Sequence, residues 1–184
     1  MPFLLVFLLF TSALSAAEVP VLQARTGPPV VQELLGGCSL TCSFPWSATD
    51  VEKSASKIAA VNDSDADTAW TEARVGEKLT FKFPADLPRE LNGTPFYGID
   101  IANGRQNPAS GFKDLGRVKS VRLYHNGKPL YLIELADSRR WQHAEFDDIY
   151  LNVGDTLMLE IVEIYPGKTA GTAAITEIVL QGAH

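Results

Sequence analysis

The chain has 184 residues, 46% of them hydrophobic and 21% charged, which excludes a disordered or fibrous protein and sets the scale at one domain of ordinary size. Its net charge of −6, with no run of lysine or arginine, lacks the basic footprint that follows a phosphate backbone. Nucleic acid is therefore not an expected partner.

Residues 1–17, MPFLLVFLLFTSALSAA, form an apolar run ending in small residues, and the polar, proline-bearing EVPVLQARTGPP follows. This pattern predicts a cleaved secretory signal, because so short a run does not comfortably cross a hydrocarbon core of ~30 Å. No later segment is apolar enough to span, so the expectation is a secreted or periplasmic protein without a membrane span after cleavage. Residues 18–41 lack periodicity and read as a leader segment, largely irregular. Cys38 and Cys42 are the only two cysteines. In an exported chain they predict a small local disulfide, which would pin the entry to the domain rather than hold its core. A zinc site needs about four ligands, and His125, His143 and His184 show no paired spacing.

Next comes VNDSDADTAW, Val61 to Trp70, with Asp63, Asp65 and Asp67 at alternate positions. Calcium wants several hard oxygens close together, so the stretch looks like the first half of an EF-hand. The second half fails: Thr68 stands where glycine is needed and Arg74 where the bidentate glutamate is needed. By spacing alone, a solvated acidic turn and a metal loop both remain open.

From about Ser54 onward, alternation of apolar and polar residues takes over. KLTFKFP and FYGIDIAN read as strands, rich in β-branched and aromatic residues. VKSVRLYHNGKPLYLIEL reads as a hairpin, because Asn126-Gly127 accepts positive φ at both central positions of a type I′ turn. DDIYL, DTLMLEIVEIY and TAAITEIVLQG add three more strands. No capped helix of three turns is visible, so an all-β antiparallel sandwich of seven or eight strands is expected. The connections NGRQNPASGFKDLGR and ADSRRWQHAEFD are long for hairpins, and such loops tend to carry function. The sequence holds no nucleophile elbow, zincin helix, phosphate loop or dinucleotide fingerprint, and an enzyme is not expected.

The ordered set D-x-D-x-x-T-A-W, GIDIANGRQ, VKSVRLYHNGKPLYLIEL, LEIVEIYPG and AAITEIVLQG, opened by CSFPWSAT, resembles the discoidin-like galactose-binding jelly rolls. It is most similar to the NADase-type glycan-binding domain of bacterial NAD glycohydrolase toxins, over about Cys42 to Gly182. The resemblance implies a jelly-roll domain over residues 42–184, and a bacterial binding module without the enzyme. It also implies a structural calcium. Asp63 would offer its carboxylate, Asp65 a carbonyl or carboxylate, Thr68 its carbonyl and hydroxyl, Ala60 a carbonyl, and Glu177 a distant carboxylate. One departure is Ser64, in place of the glycine usual between the two aspartates.

Trp70, beside that loop, is expected to plug the core rather than to stack on a sugar. Trp141, with Arg139 and Gln142 in DSRRWQH, and Asn103 with Arg105 in ANGRQN offer an aromatic plate and planar donors that suit sugar hydroxyls. For both groups an ordinary solvated loop or turn is the competing reading. The expected function is non-catalytic glycan binding, with an envelope protein-protein scaffold as the alternative.

Overall fold

The computed structural model describes residues 18–28, 48–49, 58–82, 93–168 and 171–182. The signal segment and the Cys38–Cys42 pair lie outside the described residues.

Among the described residues eleven strands form the fold: β1 Val21–Gln23, β2 Arg25–Gly27, β3 Ala48–Thr49, β4 Trp70–Ala73, β5 Lys78–Lys82, β6 Thr94–Asn103, β7 Gly116–His125, β8 Lys128–Glu134, β9 Trp141–Leu151, β10 Thr156–Tyr165 and β11 Ala173–Gly182. Two layers result. One runs β2-β9-β6-β11, with β4 also on β11; the other runs β8-β7-β10-β5-β3, with β1 added to β8. A short parallel contact, Ala173 opposite Gly116 and Ala174 opposite Arg117, joins them at one corner. The antiparallel sandwich of the discoidin-like jelly-roll class is thus observed.

Alternation builds the core. Ile99 and Ile101 of β6 and Ile178 and Leu180 of β11 face Val121 and Leu123 of β7 and Leu157, Leu159 and Ile161 of β10. These side chains are essentially removed from water, and each contributes roughly 1.5–3 kcal/mol relative to exposure. Trp70 is 4% exposed and belongs to this core, as expected from its sequence context. Asn126 and Gly127 both adopt positive φ, at 49° and 77°, so the hairpin turn between β7 and β8 is the one their chemistry predicts.

Three expectations are corrected. Part of the leader is not irregular: β1 pairs in parallel with β8, and β2 pairs with the start of β9. Each strand is only three residues long, too short for periodicity to register, and each exists because a long strand offers it a free edge. The described residues hold eleven strands rather than seven or eight, the excess lying mainly in pieces of two to four residues. Trp141, Gln142 and His143 are not in a loop but open β9, which continues through DDIYL to Leu151. A register shift between β6 and β9, opposite Glu145–Ile149, breaks the alternation midway along the strand, and that hid the continuity of its start with DDIYL.

Candidate functional site

One end of the sandwich gathers the 63–68 loop, the chain between β6 and β7, and the short connection between β8 and β9. Its stiffness comes from buried polar groups. Asn103 is wholly buried at the end of β6, where its Nδ2 donates to the Val118 carbonyl (2.7 Å) and its Oδ1 accepts from the Val118 N–H (2.9 Å). Gln142 does the same from β9: the Ala136 N–H donates to its Oε1 (2.6 Å), and its Nε2 donates to the Ala136 carbonyl (3.0 Å). Two side-chain amides therefore act as local strand partners, and neither faces solvent. The expectation that Asn103 and Gln142 contact a sugar is corrected: they hold the scaffold.

Arg117 is the third such group. Its Nε and Nη2 donate to the two oxygens of Asp137 at 2.9 and 2.7 Å, and its Nη1 donates to the carbonyls of Leu115 and Pro166. Phe112 and Tyr165 flank the guanidinium at 5.6 and 6.0 Å. Arg117 holds the Asp137 carboxyl below its usual range, through the hydrogen bond first and charge second. Gly104, at φ 76°, makes this packing fit, because a Cβ there would meet Phe112 at 2.7 Å and Arg117 at 2.8 Å.

Above this base stand the exposed groups. Arg139 donates through Nε to the Gln106 carbonyl (3.1 Å), and Gln106 is held by Thr176 and by the Asn103 carbonyl. Arg105 is exposed and rises beside the turn at Ala109–Gly111. Asn107 donates to Asp67, tying the same segment to the acidic loop. Trp141 is half-buried at the start of β9, where the loop end meets the outer face of its sheet. Arg105 and Arg139 are thus brought to one end, with Trp141 at its margin.

The acidic loop is built from its own carboxylates. Asp63 accepts from the Asp65 N–H (2.9 Å) and from the Thr68 hydroxyl (2.7 Å), and Asp65 accepts from the Asp67 N–H (2.9 Å). Ser64 takes φ 60°, the left-handed backbone that glycine would adopt more easily, and so aims its N–H at Glu177 Oε2 (3.1 Å). Glu177 comes from β11 and is 6% exposed. Burial pushes its carboxyl up to about 7; the Asp63 charge adds to this, the Ser64 N–H opposes it, and Asp65 raises it further. The acidic loop and Glu177 are therefore joined across more than a hundred residues of chain through the Ser64 N–H, and Ala60 lies in the 3-10 turn Ala59–Val61 that leads into the loop. Among the described residues, no three Asp, Glu, His or Cys side chains form a metal-ligating group. The donor set implied by the family needs only two carboxylates, with a hydroxyl and carbonyls completing it. Its chemistry, hard oxygens with surplus negative charge beside a buried carboxylate, fits a calcium ion.

The model of the NAD glycohydrolase translocation F5/8 type C domain matches residues 42–181. The chain belongs to that family. The F5/8 type C fold also superimposes on the CBM32-1 and CBM32-2 domains of Clostridium perfringens ZmpB, solved in complex with GalNAc, at TM-score 0.53 and 12% identity, covering 91% of this chain and 41% of that one. A second structure of the same two domains gives TM-score 0.54 and 12% identity, covering 91% and 42%. This F5/8 type C chain thus spans about two fifths of those structures. A family 35 carbohydrate-binding module from an environmental isolate superimposes more loosely, at TM-score 0.35 and 17% identity over 60% of this chain and 69% of the other. No curated protein matches.

Proposed function

We propose that this chain is an exported, non-catalytic glycan-binding module whose site is the loop end carrying Arg105, Arg139 and Trp141, stiffened by a structural calcium in the 60–68 loop. The observation that carries the proposal is the geometry of Arg139. It is exposed, yet anchored by its Nε to a backbone carbonyl of a segment that is itself fixed by Thr176 and Asn103. A guanidinium held this way presents its remaining N–H groups to hydroxyl oxygens with little ordering left to pay for. Arg105 supplies a second fork, and Trp141 an aromatic plate for the apolar face of a sugar ring. The polar character of this end favours a glycan over an apolar protein contact.

Calcium would be held by Asp63 and Glu177, with carbonyls and the Thr68 hydroxyl, and would supply charge neutralisation between the acidic loop and the last strand. Membership of the family and the fold shared with carbohydrate-binding modules support the ligand class, and the apolar run at residues 1–17 supports export. Recognition of this kind is shallow, so affinity for one sugar is expected near the millimolar range and useful avidity arises from multivalency.

The test is a glycan array probed with a multimerised form of the chain, read beside the Arg139→Ala and Trp141→Ala variants. Each variant is expected to lose about tenfold or more in signal, equivalent to roughly 1.4 kcal/mol. A silent array, or variants that bind like the parent, would overturn the assignment.

A further inference from the structure

A concavity lies on the outer face of the β2-β9-β6-β11 layer, where Gly27 of its wall pairs with Trp141 at the margin of the loop end. It is an open depression of about 420 Å³, within the range of small-molecule sites. Asp100 of β6 forms its base, 3% exposed, with Oδ1 against His143 Nδ1 (2.6 Å) and Oδ2 accepting from Gln181. Tyr97 stands on one side, and Arg25 pairs with Glu145 at the rim. Residues Arg25 to Pro28 form a wall, which the Asp100–His143 pair helps to fix, since His143 Nε2 lies 3.2 Å from the Pro28 carbonyl. Gly27 is required there, because a Cβ would sit 2.6 Å from the His143 ring.

The wall precedes residue 42, where the match to the family begins, while the base and the opposite side lie within it. The pocket's charges are of both signs. Asp100 and Glu145 disfavour a phosphate or carboxylate ligand, and Arg25 disfavours a bare cation. Gln181, Thr26 and the Tyr97 hydroxyl add uncharged donors and acceptors. We infer that this pocket is a second binding site, for an uncharged polyhydroxylated ligand such as a single saccharide ring, whose hydroxyls would meet the exposed Glu145 and Arg25 side chains at the rim and the polar groups of Gln181, Thr26 and Tyr97. Tyr97 supplies the apolar face. The site does not depend on the loop-end assignment.

The test is an amide NMR titration of the full chain with galactose and with N-acetylgalactosamine at up to tens of millimolar, following Gly98, Glu145 and Gln181 for the face and Gly104, Arg105 and Arg139 for the loop end. Saturable shifts of the face resonances are expected in the parent and in the Arg105→Ala/Arg139→Ala variant. Arg25→Ala and Glu145→Gln, both at the exposed rim, should weaken them about fivefold or more without loss of the folded spectrum. Shifts confined to the loop end overturn the second site and leave the first. Shifts confined to the face overturn the first and leave the second, and the absence of both overturns both. A face response indifferent to the two rim variants also overturns this assignment.

Discussion

In the presence of chelator, the melting midpoint is expected to fall as pH rises from about 4.5 through about 7, by the contribution of Glu177, and saturating calcium is expected to remove the fall. The sign follows from linkage. The folded-state pKa of about 7 lies above the ordinary value of 4.5, so the folded chain binds the extra proton between these values. The stability linked to that proton is fully present below about 4.5, is lost as pH rises through about 7, and changes no further above it. On the proposed assignment a calcium ion would take the place of the proton, so its stabilising effect is expected to grow over the same window. At a hundredfold excess over Kd it amounts to about 2.7 kcal/mol, or roughly 5–10 °C in a domain of this size. Glu177→Gln is expected to exceed the parent in stability at pH 8 in chelator, and to lose the calcium response together with the pH dependence. Comparing the parent with this variant separates Glu177 from Asp100, whose carboxyl burial also raises. A calcium-independent midpoint in the parent, with Asp63→Ala neutral, would remove the metal from the account.

Arg117→Met is expected to cost about 3–5 kcal/mol and lower the midpoint by on the order of 10 °C. The loss is large because the guanidinium is buried and serves Asp137, Leu115 and Pro166 together, so its removal strands two carbonyls and a carboxylate from three connecting segments. Arg117→Lys should recover little of this, since one ammonium cannot reproduce the two-pronged contact with Asp137. Asp137→Asn should be milder, its side chain being about a third exposed. Thermal melting with intrinsic fluorescence reads all three, and a shift below about 2 °C for Arg117→Met would show that these loops do not depend on it.

Much of the fold was legible because alternation and turn chemistry are local. The Asn126-Gly127 hairpin, the apolar inner rows of β10 and β11, and the burial of Trp70 all follow from neighbouring residues. Polar residues misled. Asn103 and Gln142 offer the amide chemistry that suits a sugar, but the same chemistry suits an unpaired strand edge, and the two uses differ only in which way the side chain points. For Gln142 the clue was parity with the buried Ala144, which has meaning only once the stretch is known to be a strand. Glu177 shows the opposite case. Within AAITEIVLQG it alternates with Ile178 and Leu180 and looks solvent-facing, and a loop 113 residues earlier covers it. Only the family pattern joined those two segments. The pocket over Asp100 was invisible for a related reason, since its wall comes from a stretch with no periodicity of its own.

Glycan recognition at the loop end is tested most directly by titrating the calcium-loaded chain with N-acetylgalactosamine and galactose while following the side-chain Nε–H of Arg139 and the indole N–H of Trp141. The account predicts saturable shifts of both signals with at least one sugar, lost in Arg105→Ala/Arg139→Ala while the buried Arg117 Nε–H stays in place. Signals that do not move with either sugar, or that move equally in the double variant at Trp141, would contradict it.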